Sequence, residues 1–219
     1  MPHSQSQLID PLDESKPLPY PPGQGPFRIK GGAYRGHLDY VTEQVPGGVD
    51  EMLKGFRDPA LAEFFRQKFL PSSFYDIIPL VVAGYICARQ SHKTYSEFLR
   101  IRSRYQAQKD ISGVYRMLLK LVSPMSAVER LPALMAQYMD FASERQFERQ
   151  SERRVILSCR GLPLLVAPWF SGVMEAYVDV VLAAAGATNP LSRTVMPHEP
   201  DGLVQGVPAI KWRCDVAWQ

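Results

Sequence analysis

At 219 residues, with 46% hydrophobic and 11% aromatic side chains, the chain can bury a sizeable core and is too apolar for a disordered adaptor. Its 25 basic and 22 acidic residues nearly balance at +3, so no broad field is available to draw in nucleic acid or an anionic membrane. Cys87, Cys159 and Cys214 sit in apolar runs without metal-ligand spacing, as expected of reduced, buried thiols in a cytoplasmic protein with no metal site.

Residues 1–26 hold seven of the 19 prolines and almost no apolar periodicity, which predicts an extended or disordered proline-rich tail ahead of one folded domain spanning 27–219. The tail has no basic region followed by an apolar core, so no secretory signal is expected. Ile77 to Ala88 is too short to span a bilayer, and the apolar run from Pro163 to Gly186 carries Glu175 and Asp179. Both are expected to be core helices, without membrane insertion.

Helical signals dominate residues 30–140. Leu38, Val41 and Val45 stand at helical spacing, and a second short helix follows the Gly47-Gly48 break with Val49, Met52, Leu53 and Phe56. Asp58 before Pro59 is an N-cap signature, with Leu61, Phe64, Phe65 and Phe69 as the buried face. Ser73 and Asp76 have capping-box spacing ahead of an apolar helix opened by Pro79, with Tyr75 packed beneath it. Thr94 and Glu97 predict another box, starting a helix to about Gln108 with Phe98, Ile101 and Tyr105 inside and a basic outer face. Further helices are expected over Asp110–Val122, with Val114, Leu118 and Leu121 inward, and from Ser123-Pro124, bent at Pro132.

After Asp140 the period changes. Val155, Leu157 and Cys159 alternate with Arg154, Ile156 and Ser158 at a strand period, and residues 143–150 can pair with them as a hairpin. A helix from about Pro168 to Ala185, stopped by Gly186, precedes one strand at RTVMPH and a last strand with Ile210, Trp212, Cys214, Val216 and Trp218 on one face. The order predicts an α+β fold, an N-terminal helical half packed against a small four-stranded antiparallel sheet with one inserted helix.

Three short elements carry a resemblance: Phe74 to Pro79, Ser123-Pro124 with Arg130-Leu131-Pro132, and Trp212 to Trp218. Through them the chain resembles a large paralogous family of uncharacterised myxobacterial proteins. That family is similar in fold to haem–nitric-oxide-binding domains, four-vinyl-reductase-type ligand domains and a vesicle-tethering subunit. The resemblance implies ligand sensing or scaffolding, by analogy of fold alone. A haem–nitric-oxide domain also implies an axial histidine and a Tyr-x-Ser-x-Arg clamp for the propionates, and the chain has no such clamp. His37, His92 and His198 lie on an amphipathic helix, in a helix connection and in a proline-flanked loop, poor settings for an iron ligand.

Arg100, Arg102 and Arg104, with His92 nearby in the chain, are the anion or ligand candidates, because guanidinium forks bind carboxylate and phosphate oxygens bidentately. The bland alternative is a solvated helix face. Arg145, Arg149, Arg153 and Arg154 are interleaved with Glu144, Glu148 and Glu152, which argues against nucleic acid. Glu175 and Asp179 share one helix face, but no histidine accompanies them. Trp169, Phe170, Trp212 and Trp218 are core residues or pocket walls. No catalytic motif is present: GGAYRG lacks the Lys-Ser/Thr of a phosphate loop, and no Gly-x-Ser-x-Gly occurs. The composite expectation is a non-enzymatic regulatory or signalling domain that binds a protein partner, with a small-molecule ligand and homo-oligomerisation both open. The alternative is a haem or tetrapyrrole gas-sensor-like domain.

Overall fold

The computed structural model describes residues 17–111 and 122–219. The expected helix over Asp110–Val122 therefore lies almost wholly outside the described residues. Strand β1 (Arg28–Lys30) leads into α1 (Gly32–Gln44), α2 (Gly48–Lys54) and α3 (Pro59–Phe65). Next come β2 (Phe74–Asp76), α4 (Ile78–Gln90), α5 (Tyr95–Asp110), α6 (Pro124–Glu129) and α7 (Leu131–Tyr138). The hairpin β3 (Ser143–Ser151) and β4 (Arg154–Pro163), helix α8 (Ala167–Ala184), and strands β5 (Leu191–Thr194), β6 (Glu199–Val204) and β7 (Val207–Ala217) complete the α+β order.

Local side-chain chemistry sets the helix starts. Asp58 accepts from the Ala60 N–H at 2.9 Å, Thr94 from Glu97 at 3.2 Å and Ser123 from Ser126 at 3.2 Å. Pro132 falls at the start of α7 and divides it from α6, because a proline ring cannot continue the preceding turn. Gly186, at φ +92°, follows the end of α8.

The Ser73–Asp76 capping box is not formed. Phe74 to Asp76 is instead a strand paired antiparallel with β1, and the Ser73 carbonyl is engaged by the Gly31 N–H at 2.8 Å. Asp76 precedes the N-cap residue Ile77 and accepts from Ile78, the first residue of α4, at 3.0 Å, while its other oxygen accepts from Gly25 at 3.0 Å and Gly23 at 3.2 Å. Residues 17–26 thus lie against the domain, with Leu18 and Tyr20 packed on its core. Burial raises the Asp76 carboxyl, while the three backbone donors favour its charged form.

The main sheet has five strands rather than four. β7 is eleven residues long, and β4 runs along one side of it. The other side is shared: β5 pairs with Cys214 to Ala217, and β6 with Val207 to Lys211. The single strand expected at RTVMPH is therefore two, because the chain leaves β7 after Thr194 and returns at Glu199. Helix α8 covers the sheet, α5 packs along α8, and α1 and α4 pack against α5. Trp169, Phe170, Trp212 and Trp218 are all core residues, and Phe170 meets Trp212 edge to face at 4.9 Å. Cys87, Cys159 and Cys214 are buried free thiols.

The Asp76 carboxylate ties the Gly23–Gly25 segment to the start of α4, so Asp76→Ala, which strands its three donors, is expected to cost about 3–5 kcal/mol in urea unfolding. Asp76→Asn retains one acceptor oxygen and is expected to cost less.

Candidate functional site

Phe98 and Leu99 set the inward face of α5, and one turn later that face presents Arg102 and Ser103, then Ala107. The expected core position Ile101 instead points outward, 41% exposed. Arg102 is 3% exposed, so the expected basic outer face loses its central member to the interior. The other candidates stay outside. Arg100 and His92 are exposed, and Arg104 faces Asp179 at 3.6 Å. The structure does not gather the three arginines and His92 into one site.

Inside, Arg102 Nη2 donates to the Ala33 carbonyl at 2.8 Å, in the first turn of α1. Its Nε is buried without a partner, as are Ser103 Oγ, Gln106 Oε1 and Tyr95 Oη. Among the described residues no carboxylate pairs with the guanidinium. Asp110, one of the charges acting on it, accepts from Gln106 Nε2 at 2.7 Å and from Tyr177 at 3.4 Å. Tyr138, Tyr95 and Tyr40 also lie within electrostatic reach. Burial disfavours the charge, but a guanidinium holds its proton under any physiological condition. A buried, unpaired cation with a fringe of unpartnered polar atoms is the arrangement that cores otherwise avoid.

His37, on α1, adjoins this group. It is 2% exposed, its Nε2 lies 3.9 Å from Cys87 Sγ, and its ring contacts Phe98. Burial first, and then the Arg102 charge, hold its pKa well below the usual histidine range. Burial likewise pushes the Cys87 thiol up to about 12, so the pair is neutral imidazole and thiol, not an activated thiolate.

Sequence reasoning missed His37 and Cys87 as neighbours, since nothing local links α1 to α4. Glu175 and Asp179 do not form a paired-acid site. Glu175 accepts from the Thr194 N–H at 2.7 Å and so ties α8 to β5, while Asp179 faces Arg104. Among the described residues no group of three or more His, Cys, Asp or Glu side chains is placed to hold a metal ion. A separate groove of about 500 Å³ between α1 and the segment after α3 is lined by Arg35, Leu38, Lys68, Phe69 and Leu70 among others, without histidine or carboxylate.

The His37 proton has a consequence for stability. The unfolded histidine titrates near 6.5, whereas the folded one resists protonation, so the unfolded chain takes up a proton that the folded chain refuses as pH falls below about 6.5. Stability is therefore expected to drop by about 1 kcal/mol between pH 7 and pH 5.5 on this account. In denaturant unfolding His37→Gln should lose that part of the drop. His198, whose pKa burial also lowers, should leave a residual slope in both proteins.

No family model matches the chain, and no curated protein matches it. Solved structures do resemble it. An unliganded Fe(II) H-NOX protein from K. algicida, an alanine-to-glycine mutant, aligns over 87% of this chain and 97% of its own with a TM-score of 0.59 at 9% identity. An oxygen-binding H-NOX domain related to soluble guanylate cyclases, in its oxygen complex, aligns over 87% and 95% with a TM-score of 0.58 at 8% identity. A structure described under haem redox potential and protein-induced porphyrin distortion aligns over 85% and 99% with a TM-score of 0.55 at 10% identity.

At these identities the likeness is one of fold, and the residues must be tested for haem separately. They do not fit. His37 is enclosed by Cys87, Phe98 and a cation, His92 is an exposed turn residue at φ 52°, and His198 sits in the connection between β5 and β6. The buried thiols are held protonated. The histidine enclosed in the helical half, His37, sits against a thiol, an aromatic ring and a cation, and the half-buried His198 with its unpartnered Nδ1 lies in a strand connection, so neither setting is that of an iron ligand. The chain thus shares the fold of H-NOX domains and carries a buried guanidinium in its helical half.

Proposed function

We propose that this protein is a small-molecule-sensing regulatory domain built on an H-NOX-type fold, whose ligand binds in the helical half against Arg102. The observation that carries this reading is the buried guanidinium with its unpartnered neighbours Ser103, Gln106 and Tyr95. Such a group is costly as pure architecture, because a buried charge without an ion-pair partner costs several kcal/mol, and a polar ligand would add to the distant compensation that Asp110 gives. The likeness to ligand-binding domains over most of both chains supports the same reading. Regulation through a protein partner is the further part of the proposal: the exposed Arg100, and Arg104 beside Asp179, offer charged contacts to one.

The haem reading is favoured by the fold likeness and opposed by the placement of the histidines. Two measurements on the full chain separate the readings. Native mass spectrometry, compared with the denatured mass, is expected to show a retained excess of small-molecule size. Reconstitution with haem is expected to give no Soret band beyond that of free haem. A bound-haem Soret band that His37→Gln abolishes would replace this proposal with the haem reading, and a bare native mass would remove the internal ligand.

A further inference from the structure

We propose that the groove between α1 and the segment after α3 is a docking surface for the chain's own acidic and apolar segment, residues 8–14. The inference goes beyond the sensing reading and does not depend on it.

The groove is held open by the fold itself. It measures about 500 Å³, and its apolar lining comes from Leu38, Phe69, Leu70 and Pro71. Phe69 is 4% exposed and stacks on Tyr34 at 4.3 Å, which fixes the floor. One wall is fixed by backbone bonds: the Leu70 N–H donates to Tyr75 Oη at 2.9 Å, and the Pro71 carbonyl accepts from the Gly32 N–H at 3.1 Å. Leu70 is nevertheless 50% exposed, so this anchored wall turns an apolar side chain to water.

Charge selects the occupant. Arg35 on α1 and Lys68 after α3 line the groove, both are exposed, and neither forms an ion pair among the described residues. The carboxylates nearest to them in the chain do not cancel them. Glu63 faces Arg66 at 3.7 Å, and the exposed Asp39, which follows Leu38, is not part of the lining. With Asp39 counted, the surroundings still carry an excess of positive charge. A complementary occupant brings apolar side chains for the floor and carboxylates for the rim. Ahead of Pro17, outside the described residues, the sequence contains such a segment: Leu8, Ile9 and Leu12 are interleaved with Asp10, Asp13 and Glu14. Those three are the acidic residues of the first 38 positions.

The described chain leads close to the groove. A Cβ on Gly23 would stand 2.8 Å from the Phe64 ring, and the Phe64 and Phe69 ring centroids are 5.7 Å apart, so Gly23 is two aromatic rings from the lining. Pro17, six residues earlier, is no more than about 20 Å from Gly23, and the nine residues from Pro17 back to Leu8 span up to about 30 Å, enough to double back. A segment tethered at that range has an effective concentration on the order of 1 mM, so an intrinsic Kd of about 0.1 mM leaves the groove about nine-tenths occupied.

The test uses the full chain. Ile9→Cys with Leu70→Cys, in a glutathione redox buffer, is expected to form an intramolecular disulfide at least about tenfold more readily than Ile9→Cys with Leu134→Cys, whose α7 position is 55% exposed. The native thiols are buried and stay out of the exchange. In a second measurement, Arg35→Gln with Lys68→Gln removes the rim charges without breaking an ion pair among the described residues. At low salt, glutamyl endopeptidase is expected to cut after Glu14 about fivefold faster in that variant, because cleavage follows the undocked population.

Equal trapping at positions 70 and 134 overturns the inference, and so does cleavage that the double glutamine variant leaves unchanged. A position-70 disulfide that forms only between two molecules overturns it as well, because the occupant is then the segment of a second copy.

Discussion

Arg102 reaches the Ala33 carbonyl from the middle of α5, and that one contact fixes how the helical half is assembled. A long cationic side chain on an inward face needs its neighbours close enough to shield it and polar enough to tolerate it. The helices around α5 meet the first need by approaching at glycines. Gly36 of α1 admits Gln106, Gly84 of α4 admits Tyr95, and Gly172 of α8 admits Leu99, each at a distance where an added Cβ would crowd the partner. The second need is met only in part, since one backbone carbonyl and a set of unpaired hydroxyls stand where a carboxylate would ordinarily be found. The helices are tightly held and the charge at their centre is not, and this imbalance makes the region a candidate site.

The parts of the fold that sequence reasoning reached are those decided within a few residues. Asp58, Thr94 and Ser123 cap helices because their side chains bond to amides two or three positions on, and the alternation in Val207–Ala217 follows from the pleat of one strand. Where a residue's role depends on distant segments, the local pattern misleads. Asp76 has the spacing of a capping box with Ser73, yet its partners include Gly23 and Gly25, about fifty positions earlier. In α5, Phe98, Ile101 and Tyr105 give one acceptable apolar face, and Phe98, Leu99, Arg102, Ser103 and Ala107 give the face that is buried. Hydrophobicity favours the first and tertiary packing selects the second. The signal that could have decided between them is Leu99 with Ala107, two apolar residues eight positions apart that the first face leaves in water. The sheet shows the same limit: β5 and β6 are short and polar, and both exist because β7 is long enough to template two partners.

A shared scaffold does not transfer a ligand, because ligand chemistry resides in a few side chains that the scaffold positions. Here the electrostatic sign of the interior is the deciding property. The field of Arg102 that helps keep His37 neutral would oppose a metal cation at the same ring as it opposes a proton, since each adds positive charge beside a buried guanidinium. It acts in the opposite sense on an anion. Neighbouring Cys87 responds consistently, for the Arg102 charge favours its thiolate, yet burial outweighs that pull and the thiol keeps its proton. The interior is thus too apolar to ionise its own weak acids and too positive to receive a cation. A group that is already negative is the species for which that combination is favourable.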